Sequence, residues 1–465
     1  MPACDLASAI RKREVSPVEV IAAMLARIDR INPRINGYCT VTADHARAAA
    51  REAEAAVTRD DTLGPLHGVP YSLKDLTPTK GIRTTMGSKI FEHNIPSEDA
   101  ILVERMRASG AILLGKTNTP EFGIKPFTDN RIFGATANPW ARDRSAGGSS
   151  GGAAAAVAAG LGPLAEGSDL AGSIRHPASW CGVVGFKPSQ GRVARYPTDA
   201  AWNAMSAHGP ITRTVADAAL MFSALVGPDA RDPLALPHTG EDWARLADGP
   251  SVRGLRVAWT PDLGGAAAVD PAIAALCETA ARRFGDLGCV LEADAPQIGN
   301  ILDPFRMLNA GVRLATVGRY LDAWREQMDP ILVQRLEVGR SLTAEDVGRA
   351  EVERSAYHHR VRRFFERYDL LVLPTTAVAA TPLAAPLPTQ IAGRSITNHL
   401  EMMLPTLAFN LSGYPAISVP CGSTADGLPV GLQIVAGWRQ DAQVLRAAAS
   451  FEAIAPWAHH RPSLD

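Results

Sequence analysis

The chain has 465 residues, with 47 Lys and Arg against 48 Asp and Glu for a net charge of −1. Hydrophobic residues make up 46% and charged residues 20%; the latter is below the ~25% usual for soluble domains and argues against a disordered chain. The charge balance offers no global positive field to draw in nucleic acid or anionic lipid.

From the N-terminus, MPACDLASAIRKREV lacks a basic region followed by an apolar run, so no signal peptide is evident. Ser16-Pro17-Val18-Glu19 predicts a helix opened by a capping box, with Pro at its first position. Ile21, Met24, Leu25 and Ile28 share one of its faces, and Asn32-Pro33 is expected to end it. A second helix is expected over about Thr42 to Val57. Gly68 to Leu73 reads as an apolar strand ending at Lys74. A helix from Ser97 through Met106 is closed by Gly110, and Ala111 to Leu114 is the next strand. Ala153 to Ala159 reads as an Ala-rich helix, Leu161 to Ala165 leads into a strand, and Val183 to Phe186 is a further strand.

In the second half, Leu255 to Trp259 is a strand, Asp270-Pro271 caps a helix reaching about Leu287, and Cys289 to Leu291 is a strand after Gly288. Leu370 to Leu373, Ala416 to Val419 and Val430 to Val435 follow, the last two joined at Asp426-Gly427. Strands alternating with helices predict an α/β fold: a mixed, mostly parallel central sheet covered by helices on both faces. Without a fixed repeat or a clean linker, residues 1–465 are expected to form one domain. Within it, 1–60 are N-terminal helices, 61–225 the core, and 290–400 a variable region that sets substrate choice.

Two features are set aside. Gly110 to Thr117 (GAILLGKT) fits a phosphate-loop pattern, but a helix precedes it, strand formers fill it and Asn118-Thr119-Pro120 follows, so nucleotide binding is not expected. The uncharged run Ser145 to Ala165 is 21 residues long, but too rich in Gly, Ser and Ala to favour a bilayer. It reads as chain threading a crowded interior. The six cysteines are scattered and read as reduced thiols in a cytoplasmic protein.

The chemistry gathers in AGGSSGG (146–152) and GSDLAGSIRHPAS (167–179), where glycines crowd around Ser149, Ser150 and Ser173. Glycine lets backbone N–H groups approach a substrate oxygen. A serine nucleophile needs a base. His176, three residues after Ser173, is one candidate, although no G-x-S-x-G elbow surrounds that serine. Lys74 is the other: at the end of an apolar strand, burial would make it neutral. An ordinary salt-bridged lysine stays equally open there.

Together these segments resemble the amidase signature family. The resemblance runs along the whole chain through HGVPYSLKD (67–75), LLGKTNTPEFG (113–123), FGATANPW (133–140), CGVVGFKPSQGRV (181–193), GPITRTVADAALM (209–221), GYPAISVPCG (413–422) and GLPVGLQIVAG (427–437). Ser149 and Ser173 stand 24 positions apart, as the family's two catalytic serines do.

The resemblance implies a serine amidohydrolase with Ser173 as nucleophile, Lys74 as base and Ser149 as the bridging relay, after a cis peptide from Gly148. Ser150 would hydrogen-bond the lysine. Backbone N–H groups of Leu170, Ala171, Gly172 and Ser173 would form the oxyanion hole, braced by Asp169 and Arg175, and Gly123 would contact substrate. Ala171 departs from the family's usual Gly, which implies a narrower hole or different dihedrals.

No cofactor and no metal are implied, and the eleven histidines show no H-x-x-x-H spacing. The expected partner is a small or aryl amide, with carbamates and esters as further substrates, and with no nucleic acid or membrane; a homodimer is left open. The alternative is the glutaminase component of a tRNA-dependent amidotransferase. That component normally carries Ser-Leu-Asp-Gln where this chain has Asp199 to Met205 (DAAWNAM), and Trp202 and Met205 suit an apolar pocket better. Phe305, Met307, Leu308, Trp324 and His399 are pocket or core candidates.

Overall fold

The computed structural model describes residues 1–249 and 251–464. Its first long helix, Pro17–Ile35, starts as expected: Ser16 Oγ accepts from the N–H groups of Val18 and Glu19 at 3.0 and 3.3 Å. It does not stop at Pro33. Burial of Ile31 and Ile35 carries it further, to Asn36 in the left-handed region. The expected strands appear within a few residues of their predicted limits, at Pro70–Lys74, Ile112–Thr117, Leu164–Asp169, Val184–Lys187, Arg256–Trp259, Val290–Ala293, Leu370–Pro374, Ala416–Ser423 and Pro429–Ala436. Two further strands, Tyr38–Val41 and Ala207–Thr212, complete an 11-stranded sheet. Gly209-Pro210 hides the second, since Pro within a run argues against a strand.

The sheet is mixed and carries helices on both faces. Leu164 packs into one apolar cluster with Val215, Phe222 and Phe284, while its neighbour Ala165 packs into another with Ile28, Ala154 and Ala178. That is the two-sided alternation of a buried strand. Parallel ladders occupy the two flanks: Ile112–Thr117, Pro70–Lys74 and Leu164–Asp169 on one side, Leu370–Pro374, Arg256–Trp259 and Val290–Ala293 on the other. Between them the pairing is antiparallel, so the parallel share is smaller than expected. Helix–strand alternation along a chain does not reveal how distant strands pair, and hairpins such as the one at Asp426-Gly427 reverse direction locally.

The helix Gly151–Ala158 is buried all round. It passes so close to a neighbouring strand end that a Cβ on Gly152 would lie 2.3 Å from the Asn118 nitrogen. The helices Pro330–Ser341 and Ala344–Phe364 both pack on Leu302–Val317, which faces the ends of the strands that carry Lys74 and Asp169. In the set-aside GAILLGKT segment, Lys116 lies within a strand and is fully buried; its Nζ donates to Thr77 O and Thr79 Oγ1. Among the described residues no helix is long and apolar enough to cross a membrane.

Candidate active site

Lys74 ends its strand inside the protein, with no exposed surface. Its Nζ lies 2.7 Å from Ser149 Oγ, 3.1 Å from Ser168 Oγ and 3.3 Å from Ser168 O. Burial brings its pKa down to about 7, against the pull of Glu166 and Asp169 and with help from Arg313. No carboxylate pairs with the amine within salt-bridge distance among the described residues, which removes the ordinary salt-bridged reading.

The peptide between Gly148 and Ser149 is cis. Ser150 serves differently from the expectation: its Oγ donates to Ser168 O at 3.4 Å and its N–H to Ser173 O at 3.1 Å, while Ser168 takes the place beside the lysine. The GSD sequence around Ser168 carries no sign of this, because the contact depends on two strands lying side by side.

Among the described residues the Ser173 hydroxyl has no hydrogen bond within the protein; Ser149 and Ser173 line the same cavity. The N–H groups of Leu170, Ala171 and Ser173 are equally unengaged. Gly172 differs: its N–H donates to Asp169 Oδ1 at 2.7 Å, which takes it out of the expected set of free donors. Gly172 sits at φ +126°, where a Cβ would come 2.1 Å from Thr406 Oγ1. Ala171 is not in the left-handed region, so the residue that departs from the family pattern fits without strain, and its carbonyl accepts from Thr406 Oγ1 at 2.7 Å.

Asp169 and Arg175 brace this turn. Arg175 Nε and Nη2 each donate to the Asp169 carboxylate at 3.0 Å, and both side chains are fully buried. Burial opposes the carboxylate's charge, but Arg175 outweighs it and holds the group well below the usual range. Asn410 Nδ2 reaches Asp169 Oδ1 at 2.9 Å, and Arg175 Nη1 reaches Thr406 O and Gln433 Oε1 at 3.0 and 2.5 Å. Sequence reasoning missed Asn410, Thr406 and Gln433.

His176 is not placed as a base. It is buried against Trp180, its Nδ1 accepts from the Gly148 N–H at 3.4 Å, and burial lowers its pKa to about 3. It supports the turn that carries Ser149.

The cavity has a volume of about 340 Å³. Gly123, Ser149, Ser168 and Ser173 line one side, and Val312, Arg313 and Tyr320 belong to the other. A narrower recess of about 30 Å³ meets it at Ser173, Gly123 and Arg313 and contains Phe305 and His399. Leu308 is core, and Met307 and Trp324 pack in apolar clusters. Trp202 does not line the cavity: it is 76% exposed, and Met205 is core. Among the described residues no group of three or more His, Cys, Asp or Glu is arranged to hold a metal.

A family model described as Amidase matches residues 19–445. The chain belongs to the amidase signature family. As a member it is an amide-hydrolysing enzyme. An acylamidase of Rhodococcus erythropolis is 43% identical, covering 100% of this chain and 97% of that protein. A glutamyl-tRNA(Gln) amidotransferase component of Moorella thermoacetica is 36% identical, covering 100% and 98%. The crystal structure of a bacterial aryl acylamidase of the amidase signature family superposes with a TM-score of 0.93 at 31% identity, over 98% of this chain and 97% of that one.

Proposed function

We propose that this amidase hydrolyses small or aryl amides through an acyl-enzyme on Ser173, with Lys74 as base and Ser149 as relay. Carbamates and esters are further substrates, and the enzyme works as a single domain in the cytoplasm without a cofactor. The observation that carries the proposal is a buried Lys74 Nζ 2.7 Å from Ser149 Oγ, in a cavity shared with an unengaged Ser173. The similarity to an acylamidase and to an aryl acylamidase supports the choice of substrate.

Neutral Lys74 takes the Ser149 proton as Ser149 takes that of Ser173. Ser173 Oγ bonds the amide carbon, and the carbonyl oxygen takes up the electron pair. The N–H groups of Leu170, Ala171 and Ser173 receive that charge, each donor worth roughly 3–4 kcal/mol. Collapse breaks the C–N bond while the proton returns through Ser149 to the leaving nitrogen. Water then attacks the acyl carbon through the same relay and frees Ser173. Gly123 borders the reacting atoms, and substrate choice falls to the facing wall within 290–400.

Release of aniline from anilides, assayed beside aliphatic amides, carbamates and glutamine with Ser173→Ala as control, tests the reading. Wild-type turnover of anilides that is absent in the variant is expected; equal turnover in both would end it.

One observation favours the glutaminase alternative. Arg313 lines cavity and recess, its guanidinium has no hydrogen bond or carboxylate partner among the described residues, and it could pair with the carboxylate of glutamine. The Asp199 to Met205 stretch lacks the pattern of that glutaminase. Glutamine turnover exceeding that of anilides would reverse the preference.

A further inference from the structure

Glu166 and His208 lie beside Lys74, and none of the steps above uses them. Glu166 and Ser168 share one face of Leu164–Asp169. His208 stands opposite Ser168 on Ala207–Thr212. The Glu166 carboxylate is fully buried. Its Oε2 accepts from the Lys74 backbone N–H at 3.1 Å and from the Thr77 hydroxyl at 2.9 Å. Its Oε1 lies 2.7 Å from His208 Nδ1, and the His208 side chain, 18% exposed, belongs to the cavity wall. A buried carboxylate with so many donors is costly to assemble and costly to leave unpaired.

We propose that Glu166 is a positioning residue: it anchors Lys74 by its backbone and sets how readily that lysine gives up its proton, and His208 keeps Glu166 ionised from the cavity side. Burial pushes the Glu166 pKa up, but the His208 contact and the Lys74 N–H overcome it and bring it below its ordinary range. A negative charge beside an amine favours its protonated form. Glu166 is the strongest influence opposing the effect of burial on Lys74. Asp169 acts in the same direction and Arg313 against it. Lys116, on the strand beyond Lys74, also faces Glu166, with Asp75 next to it. Without Glu166, Lys74 would be neutral over a wider range but less well held, so the carboxylate trades base strength against availability.

The inference rests on Lys74 as the base. Its test is the pH profile of kcat/KM on a neutral 4-nitroanilide for wild type, Glu166→Gln, His208→Leu and His208→Gln. Melting temperature serves as the check on folding, and Lys74→Ala as the control. Removing the charge in Glu166→Gln should move the acid limb about one unit toward lower pH. His208→Leu, which lacks a donor, should move it the same way by less. His208→Gln, whose amide can still donate, should leave it near wild type. An unmoved limb in folded Glu166→Gln overturns the proposal, as does an equal shift in both His208 variants. If Glu166→Gln does not fold, the two His208 variants decide alone: a Leu-specific shift supports the proposal, and its absence overturns it. Retained activity in Lys74→Ala would remove the base assignment itself. An inactive Lys74→Ala with an unmoved limb in the Glu166 and His208 variants removes only this inference.

Discussion

One wall of the cavity comes from segment 61–225 and presents Gly123 and the hydroxyls of Ser149, Ser168 and Ser173 beside larger side chains such as Leu76, Phe91 and Tyr196. The facing wall comes from the helix Leu302–Val317 and the turn after it, and presents larger side chains such as Val312, Arg313 and Tyr320. Behind the first wall, charged groups are tied to several partners: Asp169 to Arg175 and Asn410, Lys74 to Ser149 and Ser168. In the second, among the described residues, the Arg313 guanidinium has no hydrogen-bond partner and the Asn309 side chain is held only by Arg335. A wall whose buried charged groups are held by several partners tolerates little change, because each loss leaves another group unsatisfied. A wall of loosely engaged side chains can be altered at the cost of packing alone. Under the proposed function, the first fixes the reaction and the second tunes what enters.

The largest test of this contrast is Ser173→Ala or Lys74→Ala. Each should lower kcat/KM on the order of 10⁴-fold or more, and Ser173→Ala should also abolish labelling by a fluorophosphonate. A milder fall in Ser149→Ala would fit partial replacement of the relay by water. Next, Arg175→Met should leave the Asp169 carboxylate buried without its main partner. A destabilisation of roughly 3–5 kcal/mol is expected in denaturant melts.

The pH profile comes third. With its pKa lowered to about 7, Lys74 is protonated below that pH and neutral above it, so kcat/KM should fall as pH drops through 7 and level off above it. Activity that rises toward acid would break the assignment of the base. Gly172→Ala is expected to cost about 1–3 kcal/mol in melting experiments, through its backbone conformation and the Thr406 contact. Smallest is Val312→Ala on the facing wall. It should change the ratio of kcat/KM between bulky and small anilides by about tenfold, with Ser173 labelling unaltered. If Val312→Ala reduced labelling as Lys74→Ala does, the two walls would not divide the work.

Much of the fold was legible because its signals are local. Ser16 and Asp270 cap the helices they were expected to cap, and Asp426-Gly427 turns between paired strands. The uncharged run after Ser145 threads the interior, as its small residues implied, and contains the buried helix Gly151–Ala158. Less was legible where packing overrides local preference. Burial of Ile35 draws the first long helix past Pro33, and Ala207–Thr212 is a central strand in spite of Gly209-Pro210. In the site, Lys74, Ser149 and Ser173 could be picked out by their place in the motifs that resemble the family. Ser168, Glu166 and Asn410 could not, since a serine, a glutamate and an asparagine carry no sign of what they touch.

The residue types, their order and their spacing thus determined by themselves the helix starts, the turns, the alternation of strands and helices, and a set of candidates in which Ser149, Ser150, Ser173, His176 and Lys74 all stood; the choice among them came from the resemblance to the family. Tertiary structure alone decided which N–H groups remain free for an oxyanion, that Ser168 rather than Ser150 reaches Lys74, that His176 is withdrawn from the cavity, and that Lys74 gives up its proton near neutral pH. The reason is physical. Hydrogen-bond pairing and loss of hydration depend on neighbours that the chain brings together over long distances, as with Asp169 and Asn410, 241 residues apart.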